Sequence, residues 1–503
     1  MATDQAKYSL NFWLLTLGLA VTKILFTLRP EINLFTEEAH YWLWSRKMAW
    51  HYYSKPPLVA VLNLLSTSLM GHTEIAVRLN AILSGIGVAW ITFLFGSYLY
   101  SKKVGFWSAA VIQGMPFWWL ASTFHVTDSS LTFFWILTIY FSYRAIKEEK
   151  KGWWVAAGIA TAAGLMAKLV MALIYPALFL FLFYNKKWNS QQVNFLIFFS
   201  ISSLGLVPLV IWNWQNHFDT FKHLAALAGA DGIDLKHFEI TDAVNRFIIY
   251  SNEQLAIISL LLLPSWLGMI YFILRKKNAV LAFLVAPGIS AFLLFACLSL
   301  IDKVNINWPA FAYCGFAIAL GKWMELQTKS WNVISKWGIF LSIGLPVIFL
   351  LPDFAKMKSN KHFRIKEQKV IVRLLGHRNL AERIDYLKDS LAIREEFIFS
   401  DSYHTASELS FYLSGHPQTY VLNMGSRKNQ FDLWNGMEKF IGQQNTGIFV
   451  SWNFDSMEGR AIFQQLIHEE SFLSTYHGIP RRAVKIQIWK NLLEYRPNIP
   501  SSY

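Results

Sequence analysis

The sequence predicts a polytopic α-helical membrane protein that ends in a smaller soluble α/β domain. Of its 503 residues, 54% are hydrophobic and only 16% are charged, whereas an ordinary globular protein is about 25% charged. The charged residues are unevenly placed, because 35 of the 78 lie in residues 355–503. We therefore divide the chain into a membrane part, residues 1–354, and a soluble domain, residues 355–503. The composition excludes a disordered chain, a disulfide-stabilised secreted scaffold and a cytosolic enzyme.

The apolar runs are long enough to cross a bilayer. Those at 10–28 and 279–301 reach the roughly 20 residues needed to span about 30 Å of hydrocarbon. Basic clusters between the apolar stretches are assigned to the cytoplasm by the positive-inside tendency. The clusters are Lys102–Lys103, Arg144–Lys151, Lys186–Lys187, Arg275–Lys277 and Lys322–Lys336.

Parity then sets the topology, because successive cytoplasmic loops are joined by an even number of crossings. Residues 104–143 and 153–184 each hold two helices, and the second pair meets near Lys168. The total is about eleven transmembrane helices, with a cytoplasmic N-terminus and an extracytoplasmic C-terminal domain. Each half of 153–184 is short for a span, so a bent or re-entrant element is the alternative there.

Several features carry no chemistry. Cys297 and Cys314 both lie in apolar segments, which leaves no disulfide pair in the soluble part and no zinc-type spacing. The first apolar segment is as long as a full span and no small-residue cleavage pattern follows it, so we expect it to remain as the first helix. The net charge of +14 fits cytoplasmic loops that face the membrane, and nucleic-acid binding is not inferred.

Two regions are more than connectors. Residues 29–78 form a first external loop, in which 40–50 mixes Trp, Tyr and charge like an interfacial helix and is expected to lie along the outer membrane surface. Short apolar segments in residues 355–503 alternate with stretches of helical pattern, which favours a small α/β domain. The apolar segments are 397–399, 420–422, 447–452 and 482–489, and the stretches of helical pattern are 378–391, 404–413 and 458–468.

Polar groups at the outer edge of the membrane require a structural or functional explanation, because a buried charge without a partner is unfavourable. Glu37 and Glu38 follow the first helix, where a helix dipole also accounts for them. Lys55 precedes Pro56-Pro57, which hold it on a rigid turn suited to a phosphate anion; snorkelling to the interface explains a lone lysine equally well. Asp128 lies at a helix start, where an N-cap, taken alone, is the better explanation.

Other polar groups have ordinary explanations. His40 and His51 fit the polar edges of an amphipathic helix, and Lys168 is either a carrier contact or a loop charge. In the tail, helix capping and surface exposure account for three neighbouring groups, Asp401, His404 and Glu408.

Five motifs predicted to be external stand out by their order and spacing, namely Thr36–Ser45, Tyr52–Leu58, Ala76–Leu79, Thr127–Asp128 and Asn307–Pro309. Together they resemble the bacterial protein-mannosyltransferase-like and aminoarabinose-transferase-like membrane glycosyltransferases. The resemblance covers roughly residues 10–325 and extends less fully into the tail. It implies a C-type glycosyltransferase fold.

The resemblance also implies a reaction. Members of this family move a sugar, with inversion at the anomeric carbon, from a polyprenyl-phosphate donor to a lipid, glycan or protein acceptor at the outer face of the bacterial inner membrane. Glu37 matches the acidic residue at their reaction centre, although this chain has Glu-Glu where Asp-Glu is common. Lys55 matches a lysine that binds the carrier phosphate, and Asp128 matches the second acidic position.

Further site residues follow from the same resemblance. Glu38 is expected beside the catalytic pair, and Arg78 and Tyr53 are expected at the donor phosphate. Carrier or acceptor contacts are expected from three further side chains, His125, Lys168 and Asn307. A divalent cation between Glu37 and Asp128 fits the ligand chemistry, and no other cofactor is expected.

A second class of function stays open, which is transport or flipping of lipid-linked substrates. Transporters tend to show internal repeats and charges near the middle of the membrane. Here no repeat is found and the acidic groups cluster at one face, which favours the enzyme.

Overall fold

The computed structural model describes residues 2–227, 239–276, 278–350, 373–452, 457, 459–476 and 479–499. The predicted domain boundary at 354/355 lies outside the described residues. The α-helices, numbered α1 to α17 in the membrane part, are Ala2–Thr27, Thr36–Arg46, Leu58–Met70, Glu74–Leu99, Lys102–Gly114, Pro116–Ala121, Thr127–Glu148, Lys151–Ala167, Ile174–Tyr184, Trp188–Ser203, Val207–Gln215, Asp219–Leu227, Ile240–Ile257, Leu263–Arg275, Ala279–Ile301, Tyr313–Leu326 and Lys329–Leu350.

Several helices of the described chain are long and apolar enough to cross a membrane. The five that qualify singly are Gln5–Thr27, Glu74–Leu99, Trp188–Gln215, Ala279–Ile301 and Lys329–Ile348. Ile240–Ile257 and Leu260–Arg275 form a sixth span if this pair, bent by 83°, counts as one. The chain is therefore a polytopic helical membrane protein.

The total of eleven crossings stays a prediction, because the other expected spans are short or broken. α5 ends at Gly114 and the chain restarts at Pro116, so residues 104–143 are not two uniform helices. The expected break in 153–184 falls at Lys168, whose backbone is extended with φ −162° and ψ 132°. A 3-10 turn, Leu169–Leu173, then leads into α9.

Small residues let the central helices approach closely. A Cβ atom added at Gly96 of α4 would lie 2.9 Å from the Cα of Gly105 in α5, so only glycine allows this contact. Large aromatic side chains fill the space farther along the bundle, where Trp135 and Trp154 are fully buried. The same bundle supports the helix ends that carry the candidate site residues.

The soluble domain contains α18, His377–Ser390, and α19, Tyr403–Tyr412. Its strands β1 to β5 are Glu396–Ser400, Thr419–Val421, Thr446–Ser451, Ala461–Tyr476 and Ile479–Tyr495. They form one sheet in the order β2-β1-β3-β5-β4. β1 pairs in parallel with β2 and β3, whereas β5 is antiparallel to β3 and β4.

One predicted element of this domain is wrong. Residues 458–468 were expected to be helical, but the described part from Ala461 belongs to β4. β4 pairs with β5 along almost its whole length in a long hairpin, and its Gln464 and Gln465 side chains are exposed. Cross-strand pairing thus outweighs the local pattern.

The soluble domain packs on α2, so the aromatic residues of this helix face protein, and its expected position along the outer membrane surface stays a prediction. The Trp42 ring meets Phe411 of α19 edge-on at 4.8 Å and is fully buried. The backbone N–H of Leu34 donates to the Tyr412 hydroxyl over 2.6 Å. Asn33 Oδ1 accepts from the backbone N–H of His377 over 2.8 Å. Aromatic residues that suggested a lipid interface instead form an interface between the two parts of the protein.

Candidate functional site

A cavity of about 580 Å³ lies between residues 29–78, the start of α7 and the soluble domain. Six of the nine candidate site residues line it, namely Glu37, Tyr53, Lys55, Asp128, Lys168 and Asn307. They come from segments as distant in sequence as residues 37 and 307, so only the fold brings them together. Their chemical roles stay predictions.

Glu37 occupies the first turn of α2, where the helix dipole stabilises negative charge. Its carboxylate accepts a hydrogen bond of 2.6 Å from the Thr36 hydroxyl and is half-buried. Burial raises the pKa of the Tyr41 hydroxyl well above its ordinary value, and the nearby charges of Glu37 and Asp128 add to this effect. Tyr41 therefore stays a neutral hydrogen-bonding group next to both carboxylates.

Lys55 stands on a turn that its neighbours fix. The backbone N–H of Tyr52 donates to the Lys55 carbonyl over 3.1 Å, and the Tyr52 ring stacks on Trp44 at 4.2 Å. The next residue, Tyr53, donates its backbone N–H to Gln430 Oε1 over 2.7 Å.

The Lys55 ammonium group has no hydrogen bond or ion pair with any residue that the structure describes. Burial lowers its pKa to about 8, with a smaller contribution from the charge of Lys168. The charge of Asp128 partly offsets this lowering, but a buried ammonium group without a direct ion pair in the described chain is suited to an anionic ligand.

Asp128 forms a small network in the cavity lining. Its Oδ1 accepts from Lys168 Nζ over 2.9 Å, and its Oδ2 accepts from Asn307 Nδ2 over 3.2 Å. An ammonium group already neutralises this carboxylate, and among the described residues no three His, Cys, Asp or Glu side chains form a metal-binding group. These donors do not fit the divalent cation suggested for Glu37 and Asp128, because such ions need several oxygen ligands.

Glu38 and Arg78 do not take the positions expected of catalytic and phosphate-binding groups. Their side chains are both fully buried and form an ion pair of 3.0 Å. Glu38 also accepts from the backbone N–H of Phe35 over 2.8 Å and of His125 over 2.9 Å. Neither residue lines the cavity. The pair holds α2 and the start of α7 in place, so its position does not support the expected catalytic and phosphate-binding roles, which stay untested.

The histidines are likewise more buried than expected. His125 is fully buried, lies outside the cavity lining, and contacts Asn63 Oδ1 through Nδ1 at 2.7 Å, so its position does not support the expected ligand contact. His51 is fully buried and is no polar helix edge. His40 accepts from Trp44 Nε1 over 3.1 Å, and burial lowers its pKa to about 3, which keeps it neutral.

The soluble domain contributes cavity residues that the sequence did not reveal. They are Arg373, Tyr403, Arg427, Lys428, Asn429 and Gln430. The adjacent basic pair Arg427-Lys428 was a local signal, but nothing in the sequence indicated that its loop reaches the membrane part. Asp401 and Glu408 are buried, not exposed as expected, and Glu408 pairs with His377 at 2.9 Å.

The overall fold of this polytopic helical protein is one already known from solved structures. ArnT from Cupriavidus metallidurans has this fold: its apo structure gives a TM-score of 0.64 at 13% identity, covering 96% of this chain and 98% of that one. The same protein bound to undecaprenyl phosphate gives a TM-score of 0.66 at 13% identity, with 95% and 98% covered. At this identity the likeness shows the fold.

Two sequence comparisons agree. A family model described as dolichyl-phosphate-mannose-protein mannosyltransferase matches residues 54–212. The lipid A galacturonosyltransferase RgtD of Rhizobium johnstonii is 22% identical over 317 residues, which is 62% of this chain and 64% of that relative.

These findings confirm the resemblance predicted from the sequence. The fold is that of ArnT, and parts of the sequence are similar to the mannosyltransferase family model and to RgtD, of whose own length the alignment covers less than two thirds. The apolar helices make the chain a multi-pass membrane protein, whereas the identity of the membrane and the orientation of the two chain ends stay predictions.

Proposed function

We propose that the protein is an inverting glycosyltransferase that moves a sugar from a polyprenyl-phosphate donor to a lipid, glycan or protein acceptor. The observation that carries this proposal is that Glu37 and Lys55 line one cavity, on a fold shared with a protein that binds undecaprenyl phosphate. The cavity is expected to open at the outer face of the inner membrane, with the N-terminus in the cytoplasm.

Lys55 supplies the electrostatic part of the chemistry. The donor is already activated, since its leaving group is a phosphate. The bond between the anomeric carbon and the phosphate oxygen breaks, and its electron pair stays on the phosphate. A fixed ammonium group beside that oxygen stabilises the developing charge. The Tyr53 backbone contact with Gln430 holds the Lys55 turn in place.

Glu37 supplies the base. An acceptor hydroxyl attacks the opposite face of the anomeric carbon, which inverts its configuration, and the hydroxyl proton passes to the Glu37 carboxylate. The half-buried position of this carboxylate in the first turn of α2 leaves it reachable from the cavity. If the acceptor is itself a phosphate, no base is needed and Glu37 orients the acceptor.

The test is release of polyprenyl phosphate by the purified protein, supplied with polyprenyl-phosphate sugars and membrane acceptors. Glu37→Gln is expected to lower turnover by about 10²- to 10⁴-fold, the usual contribution of a general base, while its unfolding temperature stays that of the wild type. Glu31→Gln is the matched control, because the Glu31 side chain is 40% exposed and makes only a 4.0 Å ion pair. Wild-type turnover in Glu37→Gln would remove this residue from the reaction centre.

The same preparation in vesicles separates transfer from transport. Movement of intact donor across the bilayer without release of polyprenyl phosphate is the outcome that favours the alternative, a transporter or flippase. The position of the lining carboxylates in one cavity under the soluble domain supports the enzyme.

A further inference from the structure

The first helix of the soluble domain, α18, takes its N-terminal cap from the membrane part. α18 begins after Gly376, which has no side chain to act as a cap and adopts the left-handed conformation with φ +89°. The first two backbone N–H groups of α18, those of His377 and Arg378, donate to the Asn33 side-chain oxygen over 2.8 and 3.2 Å. Because the first N–H groups of a helix have no partner within the helix, they need such an external acceptor.

The backbone of Asn33 is also bound on both sides. Its N–H donates to the Leu374 carbonyl of the soluble domain over 2.8 Å. Its carbonyl accepts from the Arg78 guanidinium over 2.5 Å. Asn33 is only 2% exposed, so water competes little for these bonds. Through its N–H, its carbonyl and its side-chain oxygen, this one buried residue joins the soluble domain to Arg78.

From Arg78 the contacts continue to the two segments that carry the cavity carboxylates. The Arg78 guanidinium binds one oxygen of the buried Glu38 carboxylate at 3.0 Å, and Glu38 follows Glu37 in the first turn of α2. The other Glu38 oxygen accepts from the backbone N–H of His125 over 2.9 Å, just before Asp128 in the chain. A continuous chain of buried contacts therefore runs from α18 to the start of α2 and the start of α7.

The soluble domain has other contacts that hold it against the membrane part. The rings of Trp42 and Phe411 meet edge-on at 4.8 Å. Lys428 of the soluble domain pairs with Asp219 of α12 at 2.6 Å. Loss of the Asn33 side chain is therefore expected to leave the domain docked. What this loss loosens is the backbone of Asn33, and with it the groups that are bonded to that backbone.

We propose that Asn33 is a positioning residue, which aligns Glu37 and Asp128 for the reaction by coupling them to the docked soluble domain. This inference rests on the proposed function and deepens it. Reacting groups must be held closely, since a displacement of about 1 Å can lower turnover about a hundredfold. Binding of the carrier phosphate depends instead on the Lys55 turn, which is fixed by other contacts. The role of Asn33 should therefore appear in kcat and not in carrier affinity.

The test measures release of polyprenyl phosphate and binding of undecaprenyl phosphate by the full-length protein. Asn33→Ala is expected to lower kcat about tenfold to a hundredfold, with a change in carrier affinity of less than about twofold. Asn33→Asp keeps an acceptor oxygen in the same place and should return kcat to within about threefold of the wild type. Asn278→Ala is the matched control, because Asn278 accepts two similar N–H bonds at the start of α15, over 2.8 and 3.3 Å, and lies outside the cavity lining.

Hydrogen exchange adds a measurement that does not depend on activity. In Asn33→Ala we expect faster exchange at the first turn of α18 and, through the contacts of Glu38, at His125 and the first turn of α7. Asn278→Ala should quicken exchange at the start of α15 alone. If Asn33→Ala does not fold, Asn33→Ser is measured in the same way, because the serine hydroxyl is one bond too short to cap α18 but keeps a polar group at this position.

The outcomes separate this inference from the proposed function. A wild-type kcat in Asn33→Ala, or faster exchange confined to α18, means that the positioning role is wrong while the proposed function stands. If kcat and carrier affinity fall together, Asn33 serves only to hold the domain, and the positioning role is again wrong. If the wild type releases no polyprenyl phosphate while exchange in Asn33→Ala spreads from α18 to α7, the proposed function fails and the coupling between the two parts of the protein stands.

Discussion

Lys55 shows how a single residue obtains its chemistry from its surroundings. Its turn is fixed by stacked aromatic rings and by the double proline, and its ammonium group has no ion-pair partner in the described chain. The sequence predicted the rigid turn and the phosphate role. It did not predict the low pKa, because the main cause is burial, followed by the charge of Lys168, and both depend on how distant segments pack around the turn.

The pH dependence of donor binding follows from that pKa. Since the pKa of Lys55 is lowered to about 8, the ammonium form dominates below pH 8 and is lost above it. The affinity for undecaprenyl phosphate should fall by about tenfold between pH 7 and pH 9, because about a tenth of the lysine stays charged one unit above its pKa. Binding of undecaprenyl phosphate in nanodiscs measures this.

Lys55→Arg provides the comparison, since a guanidinium stays charged over the whole range. Its affinity should be flat from pH 7 to pH 9. A wild type that is equally flat would show that the charge of Lys55 does not hold the phosphate.

Arg78 illustrates a motif residue whose role changes with burial. Because Arg78 and Glu38 are both fully buried and paired at 3.0 Å, we expect Arg78→Met to leave a buried carboxylate unpaired. That change destabilises the fold by about 3–5 kcal/mol, measured as a lower free energy of unfolding in detergent. Arg496→Met, which removes an exposed pair, should change it by no more than about 1 kcal/mol.

The alternative result is equally clear. If Arg78→Met keeps wild-type stability and loses donor affinity, then the phosphate contact predicted from the sequence is right and the structural role is wrong.

At the scale of elements, the sequence predicted most helix positions because apolar runs and basic clusters are local signals. The break at Lys168 and the strands around 398, 420 and 448 lie where they were expected. β4 was predicted as a helix, because the exposed polar residues in its sequence fit a helical pattern. Its pairing with β5, which makes it a strand, is not visible locally. The burial of α2 under the soluble domain was also missed, because a short stretch of Trp and Tyr does not show which surface will cover it.

The close approach of α4 and α5 leads to a prediction at this scale. A methyl group at Gly105 would fall well inside 3.0 Å of the Phe93 backbone oxygen in α4, so Gly105→Ala must push the two helices apart. We expect a loss of about 1–3 kcal/mol, as for other overpacked cores, measured by thermal unfolding in detergent. Gly152→Ala is the control, since nothing lies within 4 Å of a Cβ there. Equal stability of the two variants would mean that the contact has room to adjust.

At the scale of the whole molecule, the site belongs to both parts of the chain. The membrane part supplies Glu37 and Lys55, and the soluble domain supplies Arg427 and Gln430. Sequence reasoning found the first set because a family resemblance and short-range motifs mark it. It missed the second set because only the docking of the soluble domain brings that loop to the cavity.

Docking of the soluble domain on the membrane part therefore determines whether the cavity is complete. Tyr412 lies at this contact, so its substitution tests the effect of docking. Its hydroxyl accepts from the Leu34 backbone N–H over 2.6 Å and donates to Glu74 Oε1 over 3.1 Å. Tyr412→Phe leaves that buried N–H unpaired, which is unfavourable by about 1–3 kcal/mol. We expect hydrogen exchange to quicken together in residues 33–46 and 403–412, and turnover to fall about fivefold or more.

Tyr386→Phe is the matched control, because the Tyr386 side chain is 60% exposed on α18 of the same domain and its loss should leave both readouts unchanged. Faster exchange in α19 without any change at residues 33–46 would show that the soluble domain loosens internally while staying docked. In that case the completeness of the cavity would not depend on the Tyr412 contact, and turnover should stay at the wild-type rate.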